Sequence, residues 1–103
     1  MLIVFVTTPT ETEAETLARR IVEEKLAACV QILPEMTSVY VWKGDVEQER
    51  ERLMLIKTAD ERYDELEAFI KANHSYDVPE IVAVGAEKIS KGYFDWMSEV
   101  LER

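Results

Sequence analysis

The sequence predicts an α+β protein of the ferredoxin-like, split βαβ type, with the element order β-α-β-β-α-β-α in one domain over residues 1–103. Short apolar runs bounded by charged or turn residues predict the strands. Segments with one apolar stripe at helical spacing predict the helices. A tight turn at Lys43-Gly44 joins the two middle strands into a hairpin, so the helices are expected on one face of an antiparallel sheet.

The first strand and first helix are predicted near the start of the chain. The apolar run at residues 2–6 is typical of a strand, and Pro9 follows it closely. Thr10 and Glu13 have the spacing of a capping box, which predicts a helix start. The apolar stripe of that helix consists of Ala14, Leu17, Ala18, Ile21, Val22 and Leu26.

Residues 29–58 are predicted to form one long hairpin. Residues 39–42 are β-branched or aromatic, and Gly44 can adopt the positive φ of a tight reversal. Fully extended, residues 29–43 would span about 50 Å, whereas a domain of this size is only about 35 Å across. We therefore expect a bend at Pro34 and a projecting arm beyond it. The charged residues 45–52 would also suit a helix, but the tight turn before them favours a strand.

The second half of the chain is predicted to hold two helices around one strand. Asp60 is expected to cap the second helix, residues 74–79 to end it, and residues 80–84 to form the last strand. Ser90 is expected to cap the third helix. The apolar positions of these helices are Tyr63, Leu66, Phe69 and Ile70, then Tyr93, Phe94, Met97, Val100 and Leu101.

The strand composition conflicts with a sheet that has one wet face. Such a sheet should alternate apolar and polar residues, yet the apolar runs here are continuous. Each helix has one stripe, so helices cannot cover both faces. We therefore predict that the second face is buried against other copies of the chain. The alternatives are a doubly wound sheet, which the tight hairpin turn disfavours, and a partly exposed, aggregation-prone sheet.

The amino-acid composition limits which binding partners and which cellular location can be expected. The formal net charge of −9 argues against binding to nucleic acid or to an anionic membrane, so neither partner is expected. The single cysteine, Cys29, excludes an internal disulfide and a multi-thiolate zinc site within one chain. The run at residues 2–6 is too short for a signal peptide or a membrane span, and we predict a cytoplasmic protein.

Five sequence patches resemble the CutA family, the divalent-cation tolerance proteins. They occur in the family's order and at its spacings across nearly the whole chain. The patches are EKLAACV at residues 24–30, SVYVWKG at 38–44, KT at 57–58, HSYDVPE at 74–80 and YFDW at 93–96. The resemblance implies a ferredoxin-like fold and a homotrimer whose hairpins meet neighbouring subunits. It thus agrees with the burial of the second sheet face predicted from the strands.

The resemblance also implies a role in metal tolerance and the binding of divalent copper, to which bacterial members are linked. Two departures from the family pattern bear on copper. Ser75 replaces a proline that is usual in the His-Pro-Tyr motif. A copper-binding relative has a cysteine at the end of the first strand and a His-His pair, where this chain has Val6 and Asn73-His74. Only His74 carries over.

His74 is the only histidine and the first candidate metal ligand. An imidazole suits copper or zinc, and Asp77 and Glu80 lie close by in sequence. Together these residues predict a loose metal site, and a symmetric trimer could also bring three copies of His74 together. The competing interpretation is that His74 ends the second helix, where the helix dipole favours it. No cofactor is required, and divalent copper is the one candidate.

The resemblance implies a cleft between subunits, to which we assign six residues. They are Cys29, Tyr40, Trp42, Lys57, Tyr76 and Trp96. Cys29 also suits the role of a small buried hydrophobe, and the aromatic residues suit interface packing. Lys57 would hold a small anionic ligand or pair with a carboxylate. The mixed charges of residues 47–52 predict a solvated ladder of cross-strand pairs.

The first functional hypothesis is a non-enzymatic, cytoplasmic homotrimer that binds a divalent cation or a small ligand between subunits and contributes to metal tolerance. A second is a signalling-type trimer that binds small effectors, because nitrogen-regulatory signalling trimers are similar in fold and assembly. A third is an enzyme whose cleft contains His74, Asp77, Glu80 and Lys57. A fourth is a structural scaffold. The sequence shows no nucleophile–base pair, phosphate loop or zinc-helix motif in favour of the enzyme.

Overall fold

The computed structural model describes all 103 residues, and its element order confirms the predicted one. The outgoing arm of the hairpin is divided into two strands, and a 3₁₀ turn, Asp60–Arg62, precedes the second helix. The elements are β1 (Leu2–Thr8), α1 (Glu11–Glu23), β2 (Cys29–Ile32), β3 (Met36–Trp42), β4 (Asp45–Thr58), α2 (Tyr63–Asn73), β5 (Ile81–Gly85) and α3 (Lys91–Val100).

Strand β4 connects all parts of the sheet. Its C-terminal half lies between β1 and β2, its N-terminal half pairs with β3, and β5 pairs with the other side of β1. The strand order is β2-β4-β1-β5, and every neighbouring pair is antiparallel. This arrangement excludes the doubly wound alternative, which requires parallel neighbours.

The long hairpin of β3 and β4 projects from the domain as predicted. Residues Met36 to Trp42 pair with Glu51 to Asp45, and the molecule measures 45 × 26 × 23 Å. Pro34 lies in the short break between β2 and β3, at the position predicted for a bend. At the turn, Lys43 has φ 51° and Gly44 has φ 85°, so two successive positive φ angles reverse the chain, as in the tightest hairpins.

The main core lies on the face of the sheet that α1 and α2 cover. Alternate residues of β1 and β4, such as Val4, Val6, Met54 and Ile56, point to this face and are fully buried. The helices contribute the other members, chiefly Ala14, Leu17, Ile21, Leu66 and Ile70. Helix α3 packs apart from them, in a smaller cluster formed by Ala28, Met97 and Leu101.

The opposite face of the sheet, which we call the second face, is apolar but largely uncovered. The register places Phe5 between Leu55 of β4 and Val82 of β5 on this face, with Ile3 next to Val84. Phe5 and Leu55 are half-buried, whereas Val82 and Val84 are 52% and 44% exposed. The absence of alternation in the sequence therefore corresponds to a sheet with two apolar faces, only one of which is covered by α1 and α2.

The helix starts were predicted with mixed success. Thr10 caps α1 as expected, since its Oγ1 accepts a hydrogen bond of 3.1 Å from the N–H of Glu13. The prediction for Asp60 was wrong: Asp60 begins the 3₁₀ turn, and its carboxylate lies 3.3 Å from the amino group of Met1. Ser90 occupies the N-cap position of α3, but its hydroxyl forms no capping hydrogen bond. None of the three helices has the length and apolar content that crossing a membrane requires.

Candidate ligand-binding cleft

The second face has residues of opposite charge at its two ends. Residues 51, 53, 55 and 57 of β4 all point to this face, because side chains alternate along a strand. Lys57 lies at one end and Glu51 at the other, with Leu53 and Leu55 between them. The polar groups that could bind a ligand therefore form two separate groups on one apolar surface.

The first group, which we call the lysine end, surrounds Lys57. Cys29 lies directly across from Lys57 in the β2–β4 register, and its thiol is free and half-buried. The Nζ atom of Lys57 is 5.5 Å from the ring centre of Tyr93, a cation–π distance. The ring centres of Tyr93 and Trp96 are 5.4 Å apart. The structure thus places three of the six predicted cleft residues, Cys29, Lys57 and Trp96, in one neighbourhood.

The second group, which we call the acidic end, surrounds Glu51 at the base of the hairpin. Glu51 is only 7% exposed, and its Oε2 accepts a hydrogen bond of 2.9 Å from the hydroxyl of Tyr76. Burial, and then the hydrogen bond to Glu51, raise the pKa of Tyr76. Loss of water around its carboxylate, followed by repulsion from Glu51, raises the pKa of Glu80. Glu80 therefore lies close enough to Glu51 to be repelled by its charge.

Tyr40 extends the acidic end along the hairpin. Desolvation, and then the carboxylates of Glu49, Glu51 and Glu47, raise its pKa. None of the ion pairs in the structure includes Glu49, Glu51 or Glu80. The acidic end is therefore a group of carboxylates with aromatic hydroxyls beside them and no positive charge in contact.

The two ends do not meet within one subunit. Glu51 and Lys57 are six positions apart on β4, which corresponds to about 20 Å along an extended strand. Trp42 lies in neither group, because it is at the tip of the hairpin opposite Asp45. The six predicted cleft residues thus divide into the lysine end, the acidic end with Tyr40 and Tyr76, and the hairpin tip with Trp42.

His74 is held by hydrogen bonds on both ring nitrogens. Its Nδ1 accepts from the backbone N–H of Tyr76 at 2.9 Å, so Nε2 carries the hydrogen and donates to the carbonyl of Thr7 at 2.7 Å. The side chain has no exposed surface. A carboxylate oxygen of Glu13 lies 3.6 Å from Nδ1 and accepts from the backbone N–H of Ser75 at 3.0 Å. His74 therefore fastens the segment after α2 to the end of β1.

Within one subunit, the predicted set of His74, Asp77 and Glu80 does not fit a metal site. The structure contains no group of three or more histidine, cysteine, aspartate or glutamate side chains placed to hold a metal ion. His74 also has no nitrogen lone pair free, since its single acceptor atom already receives the N–H of Tyr76. The competing interpretation, in which His74 ends the helix, matches its position as the C-cap of α2.

Sequence reasoning missed Glu51 as the buried member of the acidic end. The prediction of a solvated ladder over residues 47–52 was wrong for this residue, which is among the few buried polar side chains. The two arginines of the run form ion pairs with carboxylates outside it. Arg50 pairs with Glu35 at 3.0 Å, and Arg52 pairs with Glu11 at 3.6 Å. The alternation of side chains along the strand was the available signal. Glu51 is two residues from Leu53 and four from Leu55, so all three side chains lie on the same face.

Comparisons with known proteins agree with the geometry. A family model described as CutA1 divalent ion tolerance protein matches residues 2–100. A divalent-cation tolerance protein CutA of Thermus thermophilus is 44% identical over 97 residues, which cover 94% of both chains. The mouse protein CutA is 42% identical over 95% of this chain, which spans only 55% of the mouse protein.

A solved structure from Archaeoglobus fulgidus superposes on almost the entire chain. It is described as a periplasmic divalent cation tolerance protein CutA, with a TM-score of 0.95 and 39% sequence identity. The match covers 99% of this chain and 100% of the other. The projecting hairpin and the antiparallel sheet are thus shared with a protein of known structure. By sequence and by fold, the chain belongs to the CutA1 divalent ion tolerance family.

Proposed function

We propose that the protein is a cytoplasmic homotrimer that binds a divalent cation or a small ligand in clefts between subunits and so contributes to the response to metal ions. The observation that supports this proposal is the exposed apolar surface of the second face. Val82 and Val84 are about half exposed on it, beside the half-buried Phe5 and Leu55. Exposure of such a continuous apolar surface to water is unfavourable, and covering it with other copies of the chain removes that cost.

The hairpin supports the same assembly. Strand β3 has no charged residue from Met36 to Trp42, and one of its edges has no partner strand. Val39 and Val41 are 64% and 68% exposed. A long, uncharged edge strand favours pairing with other chains unless it is covered. In the proposed trimer, neighbouring subunits cover the hairpin and bring the acidic end of one chain towards the lysine end of another.

The acidic end is the proposed binding place for a cation. Glu49, Glu51 and Glu80 supply carboxylate oxygens without a positive partner, and the net charge of −9 attracts cations in general. Carboxylate oxygens suit divalent cations such as Mn²⁺, and divalent copper is proposed to bind here through the carboxylate of Glu80. His74 has a supporting role instead, because both of its ring nitrogens are bonded.

Binding rather than catalysis is the proposed activity. The family is named for tolerance to divalent ions rather than for a reaction. A small anion at Lys57 is the alternative ligand, since Lys57 is half-buried and is in no ion pair. Neither nucleic acid nor an anionic membrane is a proposed partner, because the net charge of −9 repels both.

Light scattering after size-exclusion chromatography tests the assembly. The wild-type protein should have three times the 11.9 kDa mass of one chain. Val82→Glu should produce a folded monomer, because it places a charge on the second face at a position that the isolated subunit leaves exposed. Val22→Glu is the matched control: Val22 is 42% exposed on α1, on the helical side, and its variant should remain trimeric. A monomeric wild-type protein at micromolar concentration would refute the proposal.

Calorimetric titration tests the ligand. We expect wild-type protein to bind Cu²⁺ or Mn²⁺, and Glu80→Gln to lower the affinity about tenfold or more, within the range typical of lost metal-site interactions. Glu23→Gln, on the exposed side of α1, should bind like the wild type. Equal affinities for the wild type and Glu80→Gln would remove the acidic end from the metal site.

A further inference from the structure

The charges at the two ends of the second face are each without a partner in their own subunit. Glu51 is almost fully buried, and its only hydrogen-bond donor is the neutral hydroxyl of Tyr76. Lys57 is half-buried over Tyr93 and contacts no carboxylate. Burying a charge without an opposite charge is unfavourable, and further burial in a trimer would add to that cost. Both ends therefore require a compensating charge from outside the subunit.

The two ends cannot compensate each other within one chain. About 20 Å of strand separates Lys57 from Glu51, several times the length of an ion pair. The carboxylates next to Glu51 are Glu49 and Glu80, so the neighbourhood only adds negative charge. The compensating groups must belong to another molecule.

We propose that Lys57 of each subunit forms an ion pair with Glu51 and Glu80 of the next subunit around the trimer. This inference rests on the trimer proposed above. A closed ring of three joins two different patches of the chain at every interface, and opposite ends of one face are two such patches. Their charges are complementary, and the apolar residues between them, Leu53 and Leu55, are the surface that the same contact covers.

The pair gives Lys57 a second role at the ligand site. Its ammonium group occupies the acidic end when no metal is bound, and a divalent cation must displace it. Metal binding and subunit contact then draw on the same carboxylates. Removal of Lys57 should therefore weaken the trimer and strengthen cation binding, two effects that a purely structural lysine would not combine.

A double-mutant cycle on trimer dissociation tests the pair. Glu80→Gln removes one charge and keeps the side-chain size, and Lys57→Gln removes one charge with a side chain one bond shorter. Each should raise the dissociation constant, and the double variant should do so less than the product of the single effects, with a coupling of about tenfold or more. Lys57→Glu combined with Glu80→Lys should recover most of the affinity that either reversal loses. Lys88→Gln removes an exposed lysine outside both ends and should show no coupling with Glu80→Gln.

The outcomes separate this inference from the proposed function. If the two substitutions have additive effects on dissociation in a protein that remains trimeric, the ion pair is overturned and the proposed trimer is not. A small anion as the true partner of Lys57 would give the same additive result and also overturn the pair. A monomeric wild-type protein would overturn the trimer itself. Titration with Mn²⁺ supplies a second measurement: Lys57→Gln should bind severalfold more tightly than the wild type, and weaker or equal binding would overturn the competition.

Discussion

His74→Ala should weaken the fold because it disconnects the segment at residues 74–80 from the sheet. The imidazole joins the carbonyl of Thr7, at the end of β1, to the backbone N–H of Tyr76. Alanine removes both hydrogen bonds and leaves a carbonyl and an N–H without a partner. Because Tyr76 also donates to Glu51, the change should loosen the acidic end as well.

The expected loss follows from those two contacts. Each neutral hydrogen bond contributes about 0.5–1.5 kcal/mol, and each group left buried without a partner costs about 1–3 kcal/mol. We therefore expect His74→Ala to lower the free energy of unfolding by about 2–6 kcal/mol, the sum for the two groups left without a partner. Glutamine can place an N–H near the position of Nε2 and keep the bond to Thr7, so His74→Gln should lose about half as much.

Urea unfolding followed by circular dichroism, at one fixed protein concentration, measures this loss. Ser75→Ala is the control, because the serine is exposed and only its backbone N–H forms a hydrogen bond, to Glu13. It should change stability by less than about 0.5 kcal/mol. A loss below about 1 kcal/mol for His74→Ala would refute the reasoning. Copper affinity of the folded His74→Gln variant should equal that of the wild type, and a collapse of binding would instead make His74 a ligand.

Three further substitutions test other parts of the fold. Tyr76→Phe should cost about 1.5–3 kcal/mol at pH 7, since it removes the donor to the buried Glu51. The pKa of Tyr76 is raised, so the folded protein keeps the phenolic proton at a pH where the unfolded chain has lost it. Wild-type stability should therefore fall as pH rises above about 10. Urea unfolding across that pH range should show no such fall from residue 76 in the variant. Thr10→Ala should cost about 1 kcal/mol in urea unfolding through loss of the cap to Glu13, whereas Thr10→Ser should be nearly neutral. Gly44→Ala should cost about 1 kcal/mol in thermal unfolding despite open space around the position, because φ there is 85°, and an unchanged midpoint would contradict that estimate.

The sequence was sufficient to predict the architecture because its strongest signals are local. The turn at Lys43-Gly44 determines where the hairpin reverses, and Pro34 lies where its outgoing arm is interrupted. The continuous apolar strands correctly indicated a second apolar face. These features depend on residue types over a few positions, which a single sequence displays directly.

The sites were harder to predict because they depend on tertiary placement. Asp60 has the residue type of a helix cap, but the amino group of Met1 lies beside it in the folded chain. Glu51 lies in a run of charges that resembles a solvated surface, and only the contact from Tyr76 distinguishes it from its neighbours. His74 has the residue type of a metal ligand, and only its two hydrogen bonds show that it is already engaged.

The central position of β1 in the sheet affects how a nascent chain folds. Residues Leu2–Thr8 are synthesised before both of their partner strands, one of which ends at Thr58 and the other at Gly85. At about 5–20 residues per second, β1 waits roughly 3–10 s for its first partner and longer for the second. Until then its backbone can pair with any strand nearby. The most deeply placed strand of the finished protein is therefore the one longest at risk of misfolding during synthesis.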